Sequence, residues 1–151
     1  MPEKKTIERA RKDKASGKSP STQAGEFVRE EIHHVREGKH GARSAKQAIA
    51  IGLSKARRAG VKLPAPQAGE ASEDTREHAE RDVEKGQKAA GKSASPKRAR
   101  AVTKALQREP RKTASAAALS KQAKSAAASR SKSDRSAAAR KAARTRKKSK
   151  G

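Results

Sequence analysis

Large apolar residues are sparse along this chain and gather in one stretch. Nine of the fourteen Leu, Ile, Val and Phe residues lie between Phe27 and Leu63. Within it, Ala24, Phe27, Val28, Ile32 and Val35 recur at intervals of three and four, which predicts one apolar stripe on a helix. Ser21 or Thr22, just after Pro20, is suited to cap that helix, and Gly38 to end it. A second helix is predicted from Ser44-Ala45-Lys46-Gln47. This is a capping box, in which the Ser44 hydroxyl accepts from the Gln47 backbone N–H and the Gln47 side chain reaches back. Ala45, Ala48, Ile49, Gly52, Leu53 and Ala56 form its apolar face. Gly60 suits the left-handed residue after a helix, Val61 suits the hydrophobic contact of a Schellman ending, and Pro64 and Pro66 prevent continuation. The connection at residues 38–43 is short enough to force an antiparallel helical hairpin. Small Ala and Gly residues on the second helix let the first approach closely.

Outside this stretch the pattern is polar. Residues 1–20 read as a basic disordered arm, with a short charged helix around residues 7–14 that has little to bury. Residues 21–66 hold the hairpin. Residues 67–90 are an acidic linker or helix, with Ser72 as its N-cap. Residues 91–151 are a basic, low-complexity arm rich in Ala, Lys and Arg. In that arm Ser95-Pro96 suits a helix start. Ala99, Val102 and Leu106 follow at helical spacing, and Pro110 stops the run. Ser-Ala-Ala-Ala then recurs at Ser115, Ser125 and Ser136. Alanine favours helix in these repeats, while neighbouring like charges oppose it in the free chain. The expected fold class is therefore all-α and largely disordered, with one short antiparallel helical hairpin and basic, Ala-rich arms.

Composition sharpens this. Most of the 31% hydrophobic content is alanine, and so few large apolar residues rarely offset the entropy of ordering a whole chain. There is no cysteine, which excludes disulfides and thiolate metal sites. No apolar run has membrane-spanning length, and the N-terminus lacks a signal-peptide apolar region. The expected location is cytoplasmic, in the nucleoid.

Charge points to a partner. Forty Lys or Arg stand against sixteen Asp or Glu, a formal net of +24. The net is +9 over residues 1–66, −3 over residues 67–90 and +18 over residues 91–151. Such a surface favours a polyanion, and nucleic acid is the expected partner. Lys39, His40, Arg43 and Lys46 flank the N-terminus of the second helix, where free N–H groups and the helix dipole favour phosphate. Lys55, Arg57 and Arg58 add cations near its other end. Lys97, Arg98 and Arg100 follow Ser95-Pro96. The densest cluster spans residues 135–150 and contains Arg135, Arg140, Lys141, Arg144, Arg146, Lys147, Lys148 and Lys150. One Phe and no Trp or Tyr leave no platform for stacking bases, which argues against single-strand modules. Phosphate-directed, weakly sequence-selective binding of double-stranded DNA is the expected mode. RNA or a ribosome is an alternative partner, as is a protein docked on the hairpin's apolar stripe. The acidic interval is suited to fold back on a basic arm as an internal competitor. Neither a membrane surface nor a small-molecule substrate is expected.

Catalysis finds little support. Glu30, His33, His34 and Glu37 share a helix face at metal-like spacing, but no second ligand-rich segment completes a coordination sphere. They read as a solvated face with intrahelical pairing. No catalytic residue, metal or cofactor is expected.

The run Lys46-Gln47-Ala48-Ile49-Ala50-Ile51-Gly52-Leu53-Ser54-Lys55-Ala56-Arg57-Arg58-Ala59-Gly60 resembles the core of a family of small basic bacterial proteins. These are known as a domain of unknown function or simply as DNA-binding proteins. The resemblance implies DNA binding and supplies no site residues. The arms resemble bacterial histone-H1-like proteins in composition only. Ser95-Pro96-Lys97-Arg98 resembles a repeat unit of linker-histone tails that binds the minor groove. Together these features lead to the expectation of a non-enzymatic, nucleoid-associated DNA-binding protein.

Overall fold

A computed structural model describes residues 2–88 and 95–148 of the chain. The start of the basic arm at residue 91 and Lys150 lie outside the described residues. Seven α-helices occur among the described residues: α1 (Lys4–Ala15), α2 (Pro20–Arg36), α3 (Ala45–Arg58), α4 (Glu73–Gln87), α5 (Pro96–Gln107), α6 (Ala116–Ala128) and α7 (Lys132–Lys148), with a 3-10 turn at Lys112–Ala114. The chain divides into two compact units, Met1–Ser115 and Ala116–Gly151.

In the first unit α2 packs along α3, α1 packs against α2, and α4 packs against α3. The expectation of a largely disordered chain around one hairpin is thereby corrected. The arm at residues 1–20 carries α1, and the acidic interval carries α4. What the composition concealed is the kind of interior the unit builds. Eight of its eleven buried apolar residues are alanine, and Phe27, Ile32 and Val35 are the others. Phe27 sits with Ala10, Ala24 and Ala56, flanked by Ile7, Leu53, Val61 and Leu63. Alanine gives up no side-chain entropy on ordering and lets helices come close. A core of few large residues can therefore hold several helices.

Helix ends follow local chemistry. Pro20 takes the favoured first position of α2, which makes Ser19 the N-cap in place of Ser21 or Thr22. Gly38 leaves α2 at φ 76°. Ser44 Oγ accepts from Gln47 N at 3.1 Å, while Gln47 Oε1 accepts from Arg43 N, one residue earlier than a standard capping box. α3 ends in a Schellman motif: Gly60 stands at φ 85°, its N–H donates to Arg57 O, and Val61 N–H donates to Ala56 O. Close approach is possible where side chains vanish. A Cβ on Gly52 would lie 2.7 Å from Val28 Cα, and one on Gly86 would overlap the Arg57 carbonyl oxygen.

In the second unit, α6 and α7 show no buried residue. Ser131 caps the start of α7 reciprocally: Asp134 N donates to Ser131 Oγ at 3.1 Å, and Ser131 Oγ donates to Asp134 Oδ2 at 2.6 Å.

Candidate nucleic-acid interface

The two units treat their cations differently. The first unit carries twenty-eight Lys or Arg with fifteen Asp or Glu, and the second carries twelve with a single Asp. In the first unit the acids meet many of the cations that the sequence marked for phosphate.

Lys39 Nζ lies 3.1 Å from Glu37 and 3.4 Å from Glu3. The Glu37 contact leads in holding the Lys39 ammonium above its ordinary value. His34 and Lys39 in turn hold the Glu3 carboxyl below the usual carboxylate range. Arg43 is largely exposed, with Nε 3.7 Å from Glu109. Lys46 is exposed on the first turn of α3. Lys55 Nζ contacts Glu31 at 2.6 Å and Glu30 at 3.4 Å. Arg58 Nε donates to Asp82 at 2.6 Å, and Asp82 also accepts from Ser54 Oγ at 2.5 Å.

Arg57 is the clearest departure from the sequence reading. It is 7% exposed and donates to the carbonyls of Leu63 at 3.3 Å and Pro64 at 3.0 Å. Burial pushes its guanidinium below the ordinary arginine value, with Asp82 opposing. It ties the segment after α3 back onto the helix and presents little surface to a ligand.

The connection at residues 38–43 is also engaged. Its N–H groups at Gly38, Lys39, Gly41, Ala42 and Arg43 donate to Val35 O, His34 O, Leu106 O, Pro110 O and Gln47 Oε1. Thr113 Oγ1 donates to Ala42 O, and Arg36 Nε donates to Ala114 O. The loop serves as a seat for the segment that follows α5. Those five N–H groups are committed within the protein and do not form an open phosphate cradle.

The remaining candidates are solvent-exposed. Lys97, Arg98 and Arg100 are exposed on α5, as are Arg135, Arg140, Lys141, Arg144, Arg146, Lys147 and Lys148 on α7. Helical spacing places Arg140, Lys141, Arg144, Lys147 and Lys148 on one side of α7. Asp134 is the one acid on that helix.

A second cluster escaped the sequence reading. One ligand atom each from Glu31, His34 and His40 lies within 4.8 Å of the others. The spacing argument had grouped His34 instead with Glu30, His33 and Glu37. Those four line a polar cavity of about 270 Å³, together with Glu3 and Lys39. Glu31 faces inward, and the turn at Gly38 returns His40 to it. Helix periodicity alone cannot reveal a partner beyond the turn.

No described helix is long and apolar enough to cross a membrane. Residues 11–67 match a family of unknown function (DUF6496). No curated protein and no solved structure matches the chain.

Proposed function

We propose that the protein is a non-enzymatic, nucleoid-associated binder of duplex DNA that acts through phosphate contacts with little sequence selectivity. The supporting observation is the exposed cationic side of α7, where Arg140, Lys141, Arg144, Lys147 and Lys148 fall within nine residues. Duplex DNA carries about one negative charge per 1.7 Å of axis. A helix advances 1.5 Å per residue and 3.6 residues per turn, so these five cations meet phosphates over about two and a half turns of α7. Neutralising them also removes the like-charge repulsion that opposes an exposed helix. Lys97, Arg98 and Arg100 on α5 are the first unit's own exposed cations for phosphate. The first unit contributes less per cation, because acids already hold many of its basic groups.

The test replaces Arg140, Lys141, Arg144, Lys147 and Lys148 by Gln, which keeps helix propensity. Duplex affinity is then titrated against salt. Each lost phosphate contact reduces the slope of log K against log salt by about 0.9, so five should reduce it by about 4–5. An unchanged slope and affinity would refute the proposed clamp. Tighter binding to an RNA duplex of equal length would transfer the function to RNA.

A further inference from the structure

We propose that Glu31, His34 and His40 form a binding site for a divalent transition-metal ion of the zinc class. Three observations support this. The donor set is compact: one ligand atom from each residue lies within 4.8 Å of the other two. It is also sheltered, with Glu31 1% exposed and the histidine side chains 12–13% exposed. Two imidazoles and a carboxylate are a donor set that zinc accepts, with a water completing the sphere.

The second observation is the arrangement behind the ligands. His40 Nδ1 lies 3.0 Å from Gly41 O, while His40 Nε2 lies 3.1 Å from Glu31 Oε1. Both ring nitrogens therefore face acceptors. A cation between Nε2 and the carboxylate would satisfy both contacts with a neutral ring that donates from Nδ1. His34 Nε2 lies 2.9 Å from Glu3 Oε1. A backbone carbonyl behind one histidine and a carboxylate behind the other are the outer supports that orient imidazole ligands.

The third is access. His34 lines the polar cavity between α1 and α2, which provides a route for an ion. Lys55 Nζ lies 2.6 Å from the other oxygen of Glu31, as an ion-pair contact without hydrogen-bond geometry. It can retain its contact with Glu30 as a metal draws on Glu31.

The experiment uses the full chain, which has no thiol to compete for the ion. Zn²⁺ is titrated calorimetrically, and Co²⁺ is added as an absorption probe of coordination. The expected result is one ion per chain, nitrogen and oxygen ligation in the Co²⁺ spectrum, and a melting temperature that rises with Zn²⁺. His34→Gln and His40→Gln should each weaken binding at least 100-fold. Glu3→Gln should weaken it by roughly 10–100-fold, as for a supporting residue. His33→Gln and His78→Gln should leave it unchanged. Should a ligand variant fail to fold, imidazole ¹⁵N resonances of the unaltered chain decide the matter. Zn²⁺ must then shift the rings of His34 and His40 and spare those of His33 and His78. Absence of stoichiometric binding, retained affinity in His40→Gln, or shifts confined to His33 or His78 would overturn the proposal.

Discussion

One substitution, glycine to alanine, should have opposite consequences at three helical positions. Gly25 is exposed on α2, and a Cβ built there meets nothing within 4 Å. Gly25→Ala should therefore register helix propensity alone, a stabilisation of about 0.8–1 kcal/mol. At Gly52 the same Cβ would lie 2.7 Å from Val28 Cα and 2.9 Å from Val28 N. Carbon atoms pack at about 3.5–4.0 Å, so α2 and α3 must separate by about 1 Å. A contact this short against backbone puts the overpacking cost in the upper part of its usual range, about 2–3 kcal/mol, which leaves Gly52→Ala destabilised by about 1–2 kcal/mol after the propensity gain. At Gly86 the Cβ would overlap the Arg57 carbonyl oxygen. Displacing α4 there also pulls Asp82 from Ser54 and Arg58, so a loss of about 2–3 kcal/mol is expected. Phe27 is the only aromatic ring besides the histidines and is 1% exposed. Its proton resonances, followed through a urea titration, report the first unit without interference from α6 and α7. With slopes of about 1–3 kcal/mol per molar urea, each effect shifts the midpoint by several tenths of a molar or more. Midpoints moving upward by the propensity amount in all three variants would refute the close approaches of α2 to α3 and α3 to α4.

Phe27→Ala should cost about 3–5 kcal/mol, so Ala10, Ala24 and Ala56 should lose amide-exchange protection together. Asp82→Ala should cost about 2 kcal/mol, after allowing for the exposure of Arg58, and urea denaturation should detect it. For pH, the folded Glu3 carboxyl is depressed by His34 and Lys39. Its contribution is thus complete above the ordinary carboxylate value and is lost as pH falls through the folded one. Protection of the α1 amides, taken against their intrinsic exchange rate at each pH, should fall on acidification through that range, and Glu3→Gln should remove this part of the dependence. Gly41→Ala would place a Cβ against the Glu109 carbonyl, and exchange at Gly41 and Ala42 should rise as their bonds to Leu106 and Pro110 part.

Much of the local structure was legible because neighbouring residues determine it. The α2 stripe at Ala24, Phe27, Ile32 and Val35 is buried, and the Ser44 and Ser72 caps and the turn at Gly60 sit where their chemistry places them. The docking of α1 and α4 was not legible. It depends on Ala10 and Ala79, whose small side chains carry almost no hydrophobic signal. It also depends on pairs distant in sequence, such as Glu3 with His34 and Asp82 with Arg58. The partners of the candidate cations were hidden for the same reason. A basic residue counts toward a phosphate surface until its acid is located, and Arg57 shows that a cation can instead serve the backbone.

The alanine-rich interior has a thermodynamic consequence. The heat-capacity change on unfolding grows with the apolar area exposed and diminishes with the polar area. A unit that buries alanine methyls beside Glu30, Glu31 and Asp82 should therefore show a smaller change than its length suggests. Its stability curve should be shallow: thermal unfolding would spread over a wide interval, and stability would vary little across ordinary temperatures.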